Sequence, residues 1–247
     1  MLISANELKA LLKRVFEGMG YALGTYEDAA ALVGWLHLHG EDGLGELERA
    51  LDLVADRERP MAELIAEGPA TLTVECHGRS ALNCLPALLE LASVQALEQG
   101  LVRVDFLHCH NRKFVLGLLT ACARQGLWAQ ASWDNGHGPV QRHVAWIDAG
   151  DANPTYQTYQ LAADAPLAQR QSLSLTLGIP SDPQRLTEPT PVQYDRRVSP
   201  AEFALAGEQA LENGMEVSPA LWQRLNGLAE AVLVENSERS RSGAGGR

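Results

Sequence analysis

The middle of the 247-residue chain predicts an α/β fold. Three observations carry it. The stretch "ATLTVEC" alternates as a half-buried strand does; the apolar runs "LVRVDFL" and "WAQASW" follow; and helical periods, "LPALLELASVQALEQG" and "FVLGLLTACARQG", separate the three. Strand, helix, strand, helix, strand is the rhythm of a layered sheet with covering helices.

Three helices are expected before that core. Ser4 can cap the first, which carries Leu8, Leu11, Leu12, Val15 and Phe16 on one face. Thr25 opens the second, with Asp28 three residues on as a capping-box-like partner, and the third, "LGELERALDLVADRERP", ends before Pro60. Within the core, Pro86 is placed in the first turn of its helix and Gly100 stops it. After "WAQASW" an Asn135-Gly136 turn leads into the strand "RHVAWID". "TYQTYQLA" and "QSLSLTLGI" can pair as strands. Two helices close the chain, each announced by Ser-Pro: Ser199-Pro200, with Glu202 at the capping-box position, and Ser218-Pro219. The reading is thus N-terminal helices, a mixed layered sheet with covering helices, and two C-terminal helices. Its divisions are a helical segment 1–60, an α/β core 61–180, a Pro-rich loop 181–198, helices 199–235 and a flexible tail 236–247, forming one compact domain.

A net charge of −11 sets a repulsive field against phosphate backbones and anionic lipid, so neither nucleic acid nor membrane is an expected partner. Cys76, Cys84, Cys109 and Cys122 lack CxxC spacing, and the amino terminus is an amphipathic helix pattern without a continuous apolar core. No apolar stretch approaches the roughly 20 residues of a spanning helix. These features point to a cytoplasmic protein with reduced thiols.

The polar loop "FLHCHNRKF" follows a predicted strand, where sheets of this kind commonly place ligands. In an extended segment His108 and His110 share a face and Cys109 points away. Such a pair can move protons, grip a carboxylate or bind metal; a metal would need a third ligand such as Cys76, His77, His137 or Asp134, and no spacing fixes one, so no metal site is assigned. The alternative is that both imidazoles hydrogen-bond loop backbone. A second cluster, "WDNGHGPVQRH", holds Asp134, Asn135, His137, Arg142 and His143 at the end of the next strand. If the two strands are parallel neighbours their loops meet: Asp134 orients a histidine as general acid, and Arg112, Lys113 or Arg142 binds an anionic substrate. The alternative is a tight turn with solvated polar residues. His37 and His39, at a helix end, read as capping groups. No GxGxxG, GxxxxGK[ST] or nucleophile-elbow pattern occurs.

The order of blocks over roughly residues 1–145 resembles the malate/L-lactate dehydrogenase-like family, NAD(P)-dependent oxidoreductases that include ureidoglycolate and sulfolactate dehydrogenases and cyclic-imine reductases. That resemblance implies a non-Rossmann fold. The family's Gly-His-Asp-Ser-His-Gly motif and following arginine correspond to "HGEDGLG", with Gly43 at the serine, Leu44 at the histidine and Glu48 at the arginine. The family's catalytic-histidine loop corresponds to "FLHCHNRKF", where His110 or Asn111 takes that place. Asp134-Asn135 stands where the family has a Thr-Asn pair near the cofactor, which implies Asn135 as a contact to NAD(P). Both ends of the chain also look like a bacterial family of unknown function. Two readings follow. One is an oxidoreductase acting on a small carboxylate, with His110, His108 and Asp134 catalytic and Arg112, Lys113, Asn111, His137 and Arg142 on the substrate. The other is a non-catalytic ligand-binding or assembly protein that lost the site. The family's intersubunit sites imply a homodimer in which "SERSRSGAGGR" reaches the neighbouring subunit.

Overall fold

A computed structural model describes residues 1–56, 58–135, 138–161, 171–181 and 193–243. In chain order the elements are β1 (Leu2–Ile3), α1 (Ala5–Gly18), α2 (Thr25–Leu38), α3 (Gly43–Ala55), β2 (Glu63–Gly68), β3 (Thr71–Glu75), α4 (Ala81–Gln99), β4 (Leu101–Leu107), α5 (Val115–Arg124), β5 (Trp128–Asp134), β6 (Gln141–Ile147), β7 (Thr155–Gln160), β8 (Leu173–Gly178), β9 (Arg196–Val198), α6 (Pro200–Asn213), β10 (Met215–Glu216) and α7 (Pro219–Gly243). They form a mixed α/β fold. The residues group into two compact units, Met1–Arg49 with Ala206–Arg247, and Ala50–Leu205, where the sequence suggested one domain.

In the first unit α1 packs on α2 and α7, and β1 pairs antiparallel with β10. Ser4 and Glu7 form the reciprocal capping box, and Leu8, Leu11, Leu12, Val15 and Phe16 are all buried, so both local signals in this helix hold. Thr25 does not cap α2: Gly24, at φ 90°, takes that position without a side-chain bond. Glycine tolerates that conformation where other residues strain. Asp42 does cap α3, its carboxylate accepting from the Gly45 amide at 3.1 Å.

The second unit is built on an eight-stranded sheet in the order β2-β3-β4-β8-β5-β6-β7-β9. Only β3 and β4 run parallel, joined by α4; every other neighbouring pair is antiparallel. α4 and α5 pack against the sheet. Val102, Val104 and Phe106 of β4 register with Leu177, Leu175 and Leu173 of β8, and all six are buried. These rows are the core.

Several local expectations change. Pro86 lies inside α4 rather than in its first turn, because the helix starts earlier, at Ala81, behind Ser80, whose hydroxyl accepts from the Leu82 amide. β2 was not anticipated: its residues are mostly exposed and show no alternation. β7 and β8 do not pair, since β8 inserts between β4 and β5. Asn135 bonds to Gln141 at the end of the β5–β6 pairing, and Gly136 of the expected Asn135-Gly136 turn lies outside the described residues. α7 continues through 236–243, part of the expected tail, because no proline or glycine interrupts "ENSERSRS". Most of the Pro-rich loop lies outside the described residues. Among the described residues no helix is long and apolar enough to cross a membrane.

Candidate functional site

β4 delivers the polar loop to one end of the sheet, but the loop is not extended. His108 and Asn111 both adopt left-handed backbone, φ 49° and 54°, which breaks the alternation expected of a strand. Cys109 is buried between them. The His108 side chain is 61% exposed and pairs through Nδ1 with Glu75 at 2.8 Å, not with Asp134. His110 is bridged to Ser80: its amide donates to the Arg79 carbonyl at 2.9 Å and its carbonyl accepts from Ala81 at 2.8 Å. A methyl group added at Gly78 would meet Arg59 Nη1 at 2.6 Å and His110 Nε2 at 3.9 Å, which puts the imidazole beside a guanidinium. Burial first, then the charges of Arg112, Arg59 and His108, hold the His110 pKa below its ordinary 6.5. Burial thus favours its uncharged form.

β4 and β5 are not neighbours. Both are antiparallel to β8, so they run in the same direction with one strand between them, and their loops reach the same end of the sheet. Arg112 spans the gap. It is 8% exposed, and its Nη1 donates to the Cys109 carbonyl at 2.6 Å while Nη2 donates to the Asp134 carbonyl at 2.7 Å. Its guanidinium is therefore a backbone tie, not a ready substrate clamp. Asp134 is 2% exposed, and its carboxylate accepts from Arg142. Asn135 is engaged within its own loop, donating to Pro139 at 2.9 Å and accepting from the Gln141 amide at 3.0 Å. The Asn111 side-chain oxygen is buried without a hydrogen-bond partner, and Lys113 sits half-buried in the 3-10 turn Arg112–Phe114. His143 faces away from Arg142, stacking on Trp133 at 5.0 Å and bonding Tyr156 at 2.7 Å. His137 lies outside the described residues. His39 caps α2, its Nδ1 donating to the Trp35 carbonyl at 2.7 Å.

One cavity lies on the polar face of the sheet. It measures about 490 Å³ and includes Asp134 and Arg142 but neither His108 nor His110. Thr73, Asp105, Ser174 and Ser132 make one row across β3, β4, β8 and β5. Arg103, Thr176 and Gln130 make the next. Arg103 grips Asp105 through Nε at 3.0 and 3.1 Å and through Nη2 at 3.0 Å, and Nη2 also reaches Ser174 at 3.0 Å. The Ser174 hydroxyl donates to Asp105. The sequence reading missed Arg103, Asp105, Ser132 and Ser174. Their signal was present: in "VRVDF", "QASWD" and "LSLTL" every second residue is polar, which marks one face of a sheet left to water.

The thiols of Cys76, Cys84, Cys109 and Cys122 are free and buried. Burial pushes Cys122 up to about 12, and neighbouring thiols raise Cys76 and Cys84. Thiols shifted this way, Cys76, Cys84 and Cys122, are not poised as nucleophiles. Among the described residues no group of three or more His, Cys, Asp or Glu is placed to hold a metal.

This arrangement of sheet and helices resembles that of several solved dehydrogenases and a reductase. A dehydrogenase from Sinorhizobium meliloti superimposes with a TM-score of 0.70 and 15% identity, over 93% of this chain and 99% of that one. Malate dehydrogenase from Pyrococcus horikoshii OT3 gives 0.66 and 12%, over 94% and 95%. Delta1-piperideine-2-carboxylate reductase from Pseudomonas syringae pvar. tomato gives 0.62 and 12%, over 92% and 99%. At these identities the likeness establishes the fold alone, and it runs well past residue 145. Residues 3–84 match a family described as a protein of unknown function (DUF3726). No curated protein matches the sequence.

Proposed function

We propose that the chain is a non-catalytic small-ligand-binding protein that keeps a dehydrogenase-like fold. The observation that carries this reading is the lining of the sheet-face cavity: among the described residues it holds no imidazole, thiol or lysine, and its charged groups are arginines and aspartates already paired with one another. Such a lining recognises; it offers no group suited to proton transfer near neutral pH.

The motif region agrees. Where the resemblance implies a serine, a Cβ at Gly43 would lie 2.4 Å from the Val33 carbonyl and 2.5 Å from the His37 amide. Where it implies a histidine, Leu44 is 2% exposed. Helix packing has taken the place of those side chains. The residue assigned to NAD(P) does not fit it either: Asn135 has both ends of its amide engaged by its own loop. The competing reading, an oxidoreductase on a small carboxylate, needs His110 as proton donor and an arginine on the acid. Burial disfavours the protonated form of His110, and Arg112 is turned to backbone carbonyls.

The reading places the protein in the bacterial cytoplasm as a homodimer, on the strength of its unpaired thiols, its acidity and the dehydrogenase resemblance. It takes the fold as non-Rossmann, in keeping with a sheet that has one parallel pair among its neighbours. Fluorescence titration with NADH and NADPH tests the reading. No saturable binding is expected. Saturable binding accompanied by oxidation of the nucleotide on addition of a 2-oxo acid would replace it with the oxidoreductase, and His110→Ala should then lower turnover more than Asn111→Ala.

A further inference from the structure

The geometry points to a polyhydroxylated ligand, a sugar or sugar alcohol, on the polar face of the sheet across β3, β4, β8 and β5. The inference rests on the reading of this cavity as a ligand site and names the class it takes. Strands lie about 4.8 Å apart, so the row Thr73, Asp105, Ser174, Ser132 spreads polar groups over about 14 Å. At about 490 Å³ the space matches a small-molecule site.

Charge pairing decides the class. Two arginines and two aspartates line the cavity, and they are matched: Arg103 with Asp105, Arg142 with Asp134. A carboxylate entering here must displace an aspartate from its arginine or sit against that aspartate. Either leaves a charge uncompensated in a half-enclosed site, the costly outcome. An ammonium ion meets the mirror problem. A zwitterion as short as an amino acid can engage one pair but cannot bridge both, because Arg103 on β4 and Arg142 on β6 are separated by β8 and β5.

A hydroxyl is both donor and acceptor. A diol can donate to an Asp105 oxygen and accept from the Ser132 hydroxyl or the Arg103 fork while both ion pairs stay made. The face offers donors, acceptors and amphoteric hydroxyls in adjacent rows, which is the complement of a ligand carrying a hydroxyl on successive carbons. Leu107 at the cavity edge supplies an apolar contact for the carbon skeleton.

The test is calorimetric titration of the full chain with glucose, galactose, mannitol and myo-inositol as neutral probes, malate as the carboxylate and glutamate as the zwitterion, each up to about 10 mM. Saturable binding of at least one neutral probe is expected, with little dependence on salt because the ligand carries no charge. Ser132→Ala and Ser174→Ala should each weaken it about 5-fold, the loss of one hydrogen bond, with a native circular dichroism spectrum. Saturable binding of malate or glutamate with none of the neutral probes overturns the polyol class and leaves a ligand-binding protein standing. Silence from all six probes overturns both. Polyol binding that neither serine variant weakens places the site elsewhere and overturns the assignment to this face.

Discussion

At His108 the backbone turns left-handed, and from there to Asn111 the side chains stop alternating. His108 goes to Glu75, Cys109 into the core and His110 beside Arg59, so a loop that reads as a reaction centre is distributed among three environments. The residue composition was legible, but the two positive φ angles that dispersed it were not: His and Asn are enriched in that region yet occupy it in only a minority of cases. His110 shares one property with His37 and His39: burial is the leading cause that holds each below its ordinary 6.5. Unfolding returns each to that value, so between the folded value and 6.5 the unfolded chain binds more protons. Their contribution to stability is complete above pH 6.5 and is lost as pH falls through the window below it. Glu7, Glu27 and Glu202, held below 4.5 by their hydrogen bonds, lose theirs only in more acidic solution. The urea midpoint should therefore fall between about pH 7.5 and pH 5.5, before the glutamates titrate. His110→Asn should flatten part of that slope. A midpoint that stays level across the window contradicts the burial of these imidazoles.

Elements were legible where a signal is local. Ser4 with Glu7 and Ser199 with Glu202 both close as capping boxes, since four residues suffice to specify one. Strand partners were not legible. Alternation says that a segment is a strand and which side is apolar, but nothing in "QSLSLTLGI" says that it enters between β4 and β5. The cavity was missed for the same reason, because its rows exist only once four strands are in register. Gly43 tests the packing of α3 on α2 directly. The two atoms an added Cβ would meet, the Val33 carbonyl and the His37 amide, are helix backbone and cannot rotate away. Gly43→Ser, which restores the residue type of the resembled motif, should cost about 1–3 kcal/mol in chemical denaturation. A variant as stable as the parent would show that α2 and α3 separate easily, and the case that packing has displaced the catalytic motif would fail.

For the whole molecule, the sequence order of blocks conveyed the fold class, and the structural likeness extends over more than nine-tenths of the chain. The division into two compact units was not apparent, because Ala206–Arg247 joins the N-terminal helices from the far end of the sequence. α7 bears on assembly. Its 25 residues extend about 37 Å, whereas α1, which packs on it, has 14 residues and extends about 21 Å. The last turns, "SERSRSG", carry no apolar residue, and a helix end of that composition has little stability without a neighbour. Arg239 and Arg241 make it locally basic in a chain of net charge −11, so the acidic surface of a second copy is a suitable neighbour. Light scattering should return a mass near twice 26.7 kDa for the intact chain, decreasing as salt screens the contact. A chain ending at Asn236 should dimerise more weakly. A monomeric intact chain rejects the homodimer, whereas a dimer unchanged by the truncation retains the assembly and removes the tail from its interface.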